Sequence, residues 1–412
     1  MSGLIVKNVT YLDPESGEFR PNTSVRAQDD RFVEVSDSLL TTSADDVEVI
    51  DGGGRTMLPG LIDAHVHPVV TSMDIKAMAN RPLTRIAIET KTILERMLRR
   101  GFTTVRDAGG LDRGLAEALK LGLIDGPRTF RSGRVISQTG GHGDLASGEN
   151  PPRCGCGIET SFFSHVADGP EAVRRAAREE LKNGADQIKV MAGGGLATPT
   201  DAIDMIQYTE PELRVAVVEA SNRNTYVMAH AYVPQAITQA VKAGVRSIEH
   251  GCLLDDASAR MMAQHGTYLV PTMVVYQQLE KFGEVLNFPS ESIEKLEFVL
   301  HASNAAVETA LKAGVRLDFG TDLLGETHDA QSDEFALRSV VQPAIDVIRS
   351  ATVINAEIFG RSDYLGAVKP GAFADLLLVD GNPLDDISVL GGQGDHLDLI
   401  VRAGKVIKNR ID

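Results

Sequence analysis

The 412 residues predict an α/β fold: a (β/α)8 TIM-like barrel with a small β-sandwich formed by the N- and C-terminal segments. Three observations carry this. From about residue 58 to 362, short β-branched runs alternate with longer amphipathic segments, the pattern of a parallel sheet covered by helices. A short phrase containing glycine recurs where a helix should stop and the next strand begin, at Gly184, Gly244 and Gly314; glycine supplies the left-handed turn that terminates a helix. The two ends are short alternating strands with turn signals, and neither could bury a core alone. Residues 1–57 and 364–412 are therefore expected to pair into one sandwich beside a barrel of residues 58–363.

Along the chain, the expected barrel strands are 60–66, 103–107, 129–137, 187–191, 226–229, 247–249, 268–271 and 316–320. Between them, apolar residues at helical spacing predict helices over 85–100, 170–183, 210–224, 234–243, 255–264, 290–313 and 332–350. Eight strand-helix units in about 300 residues suit a closed barrel better than an open sheet. The connection 138–168 is longer than ordinary loops, which suggests a lid or specificity element.

Composition narrows the function. A net charge of −16 without a basic stripe argues against a nucleic-acid partner. No run of 18 apolar residues occurs and the first residues lack the pattern of a secretory leader, so a cytoplasmic protein without a membrane partner is expected. Cys154, Cys156 and Cys252 do not assemble a four-ligand structural zinc pattern and are read as incidental thiols of a reducing compartment.

In such a barrel the active site lies at the C-terminal ends of the strands. There the chain places His65 and His67 on strand one, Lys189 on strand four, His230 on strand five, His250 on strand six and Asp322 on strand eight. Residues i and i+2 of a strand point to the same side, so the two imidazoles of His65 and His67 could face one metal ion. Each residue alone has a plainer explanation: a snorkelling lysine, histidines capping carbonyls, an aspartate at a helix N-terminus. Four histidines, a lysine and an aspartate closing five strands are harder to explain that way.

This order resembles the amidohydrolase superfamily in its two-metal form, and the resemblance spans the whole chain, including the PGLIDAH entry at 59–65. It implies that His65, His67 and Asp322 hold one cation and His230 and His250 the other. Lys189, carboxylated with CO2, would bridge both, because a carbamate offers two anionic oxygens to ions about 3.5–4 Å apart whereas an ammonium repels them. Two divalent ions, zinc first by ligand type, would lower the pKa of a shared water to about 7, and the resulting hydroxide would attack a carbonyl. Asp322 would pass the proton to the leaving amine.

Longer phrases, LRRGFTTVRDAGG at 98–110, SQTGGHGD at 137–144 and GTDLLG at 320–325, resemble the Xaa-Pro dipeptidase (prolidase) and imidazolonepropionase-related branch. That implies a small-molecule substrate, an Xaa-Pro dipeptide or N-acyl amino acid, and a homo-oligomer, with an octamer as the family's suggestion. His142 and Tyr232 would contact the substrate's carboxylate or the oxyanion. Arg153 and His328 lie in loops and are read as solvated, Asp107 as either an orienter of a ligand histidine or a strand-end turn, and the Gly193–Gly195 run as a close backbone approach. His165, His265, His301 and His396 receive no role. Rival readings are a hydrolase of a xenobiotic amide, carbamate, phenylurea or ochratoxin-like toxin, a ring-opening hydrolase or deaminase, and a non-catalytic oligomeric scaffold. Lys189 weighs against the deaminases and the complete ligand set against the scaffold.

Overall fold

The computed structural model describes residues 3–43, 46–74, 78, 81–144, 163–196, 201–282, 285 and 290–411. The N-terminal strands are β1 (Gly3–Leu12), β2 (Phe19–Gln28), β3 (Arg31–Ser36), β4 (Val47–Asp51) and β5 (Thr56–Pro59). Next come β6 (Leu61–Val66), β7 (Phe102–Asp107), β8 (Arg128–Arg131), β9 (Val135–Ser137), β10 (Ser164–Val166), β11 (Ile188–Met191), β12 (Val227–Ala231), β13 (Ser247–His250) and β14 (Tyr268–Val270). The last are β15 (Leu376–Val379), β16 (Leu397–Arg402) and β17 (Lys405–Asn409).

The two ends of the chain do pair with each other. They form one eight-stranded hydrogen-bonded sheet, β17-β16-β15-β5-β1-β2-β3 with β4 also on β1. Its join is the antiparallel pairing of β15 with β5, Leu376 opposite Pro59 through Val379 opposite Thr56. Val6, Tyr11, Phe32, Met57, Leu378 and Leu399 bury one side of this sheet. Leu12, Leu58, Leu377 and Ile400 pack instead with Phe102, Phe319 and Phe335 of the central region, so the terminal sheet shares a core with it.

Between the ends lie two parallel sheets, β6-β7-β8 and β10-β9-β11-β12-β13-β14. Helices intervene at Leu83–Arg99, Gly169–Lys182, Glu210–Ser221, Pro234–Ala243, Asp256–His265 and Ser290–Ala313, close to their expected spans. Gly244 and Gly314 have φ of 96° and 79°, the left-handed conformation that ends each helix. No helix among the described residues is long and apolar enough to cross a membrane.

Four expectations need correction. The single strand over 129–137 is two strands, broken at Ser132–Arg134, where the Glu180 carboxylate accepts from the Arg134 amide (3.1 Å) and Nε (2.8 Å). The segment 316–320 is not a regular strand. It forms an isolated parallel bridge, Leu317 opposite Leu269, and further along its Phe319 carbonyl accepts from Ala64 of β6 at 2.8 Å. The helix over 332–350 is divided into Asp333–Ser339 and Ala344–Arg349, because Pro343 has no amide proton to donate. Helices Arg113–Lys120 and Met273–Phe282 were not anticipated.

Candidate metal centre

Five chain segments deliver the candidate residues to one place. His65 is the penultimate residue of β6 and His67 the first beyond it, and both rings do face the same side: their Nε2 atoms each lie 3.2 Å from Asp322 Oδ1. The Lys189 Nζ on β11 stands 3.5 Å from His65 Nε2. The His250 ring centroid lies 5.1 Å from that of His65 and 4.6 Å from that of His230. One potential donor atom each from His65, His250 and Asp322 falls within 4.8 Å of the others. His250 and Asp322 have φ of 74° and 56°, an uncommon conformation for non-glycine residues that is concentrated at functional sites.

The plainer explanations do not survive the geometry. Lys189 is 1% exposed and does not snorkel outward. Asp322 caps no helix, since the next turn begins at Gly325 with Leu324 as its N-cap. The histidines do bond nearby acceptors, but with one nitrogen each, and the second nitrogens of His65 and His67 face Asp322. His67 Nδ1 meets the Gly109 carbonyl (3.1 Å), His230 Nε2 the Gly194 carbonyl (3.0 Å), His250 Nδ1 the Thr272 hydroxyl (2.8 Å), and His65 Nδ1 the Glu249 carboxylate (2.6 Å).

Electrostatics keep these side chains in metal-binding form. Burial lowers the pKa of His67, and lowers those of His230 and His250 far below 6.5, so the rings are neutral. Burial also brings the Lys189 amine down to about 8, toward the neutral form that can react with CO2. Burial alone would raise Asp322, yet the neighbouring His65 and His67 hold its carboxyl well below the carboxylate range. Neutral imidazoles, a partly buried carboxylate and a buried amine converging on one point suit divalent cations of the zinc type.

Three residues that the sequence did not single out support the site. Glu249 and Arg106 are fully buried; the Arg106 Nη2 donates to both Glu249 oxygens at 3.1 and 3.3 Å, and its Nε donates to the Ala64 carbonyl at 2.7 Å. Against the upward push of burial, Arg106 and His65 hold Glu249 at about 2. Asp63 accepts from the His65 amide (3.0 Å) and from the Thr321 hydroxyl (2.7 Å), joining β6 to the residue before Asp322.

His142 and Tyr232 both lie beside His230. The His142 ring stacks on that of His230 at 4.4 Å and 16°, with its Nδ1 3.0 Å from Asp201. Tyr232 is buried edge-on to His230 and stacked on His250 at 5.3 Å, its hydroxyl 3.3 Å from that of Tyr276. The glycine run is a close approach, since a Cβ on Gly195 would stand 2.2 Å from the His142 ring. His328 is not solvated: it is buried, Nε2 at 3.0 Å from the Val70 carbonyl, and burial takes its pKa to about 4. The Asp107 carboxylate accepts from the Leu111 amide at 3.4 Å and bonds no ligand histidine, so the strand-end turn is the right reading. Cys252 is a buried free thiol, while Arg153, Cys154, Cys156 and most of the 138–168 connection lie outside the described residues.

Comparison with known proteins identifies the family. Residues 56–407 match the amidohydrolase family. Ochratoxinase of Aspergillus niger is 33% identical over 350 residues, covering 81% of this chain and 72% of that protein. The crystal structure of an amidohydrolase superposes with a TM-score of 0.96 at 46% identity over all of both chains. A prolidase in complex with N-methylphosphonate-L-proline gives 0.95 at 43% identity, covering 99% of this chain and 100% of that one. The chain belongs to the amidohydrolase family and is a hydrolase of carbon–nitrogen bonds.

Proposed function

We propose that this enzyme hydrolyses the amide bond of Xaa-Pro dipeptides or related N-acyl amino acids at a binuclear centre. The observation that carries the reading is Lys189, buried 3.5 Å from His65 Nε2 among four histidines and an aspartate. In this reading His65, His67 and Asp322 would hold one cation, His230 and His250 the other, and Lys189, as a carbamate, would serve both. That group forms when Nζ attacks CO2, a nitrogen–carbon bond replacing an N–H whose proton leaves to solvent. When bound, two divalent ions, zinc by donor type, polarise the scissile carbonyl and lower the pKa of a water toward about 7.

The chain's own groups do the rest. Asp322, its side chain 17% exposed, takes the proton of the attacking water and returns it to the departing nitrogen. His142 and Tyr232, on the His230 flank, donate to the substrate's carboxylate or to the developing oxyanion. Hydrogen bonds from segment 316–322 to both Leu269 and the β6 strand support one closed eight-stranded barrel, with residues 58–363 as the catalytic unit and 1–57 and 364–412 as its companion.

The prolidase likeness favours Xaa-Pro substrates, and the ochratoxinase likeness supports an ochratoxin-like toxin as the second reading. Metal analysis together with kcat/KM across dipeptides, N-acyl amino acids, ochratoxin-like amides, carbamates and phenylureas tests the proposal. Two equivalents of metal and a preference for C-terminal proline are expected. Metal-free protein with full turnover would overturn the centre, and preference for a carbamate or urea would overturn the substrate class.

A further inference from the structure

We infer that Glu249, held by Arg106, is the positioning residue that orients His65 for metal binding, so that the first cation site depends on a buried ion pair beneath it. The inference rests on the reading of His65 as a ligand, and it concerns residues that coordinate nothing themselves. A histidine can present Nε2 to a metal only if its proton resides on Nδ1, and an acceptor at Nδ1 sets that tautomer. For His65 the acceptor is the Glu249 carboxylate, Oε2 at 2.6 Å, with both side chains fully buried.

His65 differs here from the other candidate ligands, whose second nitrogens meet the neutral groups of Gly109, Gly194 and Thr272. Among these hydrogen-bond acceptors its own carries a full charge, whereas the nearest charge to His250 Nδ1 is the candidate ligand Asp322 at 3.8 Å. A charge at 0% exposure needs compensation, and Arg106 provides it at 3.1 Å while its Nε holds the Ala64 carbonyl, the residue before His65. The Ser247 hydroxyl also donates to Glu249. Arg106 therefore ties both the main chain and, through Glu249, the ring of the same ligand. A charge-assisted bond to Nδ1 also makes Nε2 a stronger donor to a cation than a neutral acceptor would.

The test separates positioning from simple charge compensation. The enzyme is loaded with Zn2+, and metal loss into a chelator is followed for the parent, Glu249→Gln, and the double variant Glu249→Gln with Arg106→Met. Glu249→Gln should lower Tm, because Arg106 is left buried and unpaired, and should release one of the two ions about 10–100-fold faster. The double variant should regain Tm yet still release that ion faster. If it regains both Tm and metal retention, Glu249 serves only Arg106 and the inference is wrong. Should the variants not fold, 15N-histidine NMR of the metal-free parent decides: a His65 proton on Nδ1, shifted far downfield, is expected, and a ring with no proton on Nδ1 overturns the inference. Parent protein that takes up no zinc would overturn the metal reading instead, while the NMR result still judges the Glu249–His65 bond.

Discussion

The two flanks of the centre are held by different physics. On the His65 flank, position comes from buried charge: Arg106, Glu249 and Asp63 lie at 0% exposure and fasten the end of β6 from below. On the His230 flank it comes mainly from main chain and ring packing, the Gly194 carbonyl, the edge-on Tyr232 and the stacked His142, with the Asp201 carboxylate behind His142 as its one buried charge named here. A buried charge network tolerates little change, because removing one member leaves another uncompensated. Stacked rings and loop glycines can be rearranged at smaller cost, so variation in substrate is expected to reside on the His230 side.

The largest effect should come from the residue shared by both flanks. Lys189→Ala is expected to lose both ions and reduce activity to background, with partial recovery on adding a short carboxylic acid; undiminished turnover would remove Lys189 from the centre. Asp322→Asn should cut kcat by about 10²–10⁴ while part of the metal remains, measured by turnover and metal content together. Normal kcat in that variant would reject the proton-transfer role.

His328, near the His65 flank, offers a pH measurement. Its folded pKa of about 4 lies below the unfolded value near 6.5, so the unfolded state binds the extra proton first, and stability falls as pH drops from 6.5 toward 4. In metal-free protein, His328→Gln should flatten that fall by about 3 kcal/mol, read from denaturant titrations across the interval. Equal slopes for parent and variant would show that His328 titrates normally.

Two smaller changes address the other flank. Gly195→Ala places a methyl group against the His142 ring and should cost about 10² in kcat/KM with two ions still bound. Loss of metal there would mean that the flanks are not separable. Tyr232→Phe should raise KM for a carboxylate-bearing dipeptide about tenfold and leave an esterified one nearly unchanged; the same change for both would take Tyr232 out of carboxylate recognition.

Much of this was legible in the chain. Alternation carried through the end of β6 put His65 and His67 on one side, and the helix-strand alternation with its terminating glycines located most of the central elements. The same rule hid Glu249. It adjoins His250, and strict alternation sends neighbours to opposite sides, but the left-handed φ of 74° at His250 breaks the period and lets both reach the centre. His328 was misjudged for a related reason: a polar residue in a loop carries no local sign that the chain will fold over it.

By itself, then, the sequence indicated which side chains could bind metal and roughly which segments carry them, because those depend on local periodicity, although Lys189 stands near the start of β11 and Asp322 follows a segment that is not a regular strand. Only the tertiary structure decided what holds them. Glu249 meets His65 across 184 residues and Asp201 meets His142 across 59, and contacts between segments so far apart are set by packing and by single backbone angles, neither of which a local pattern records.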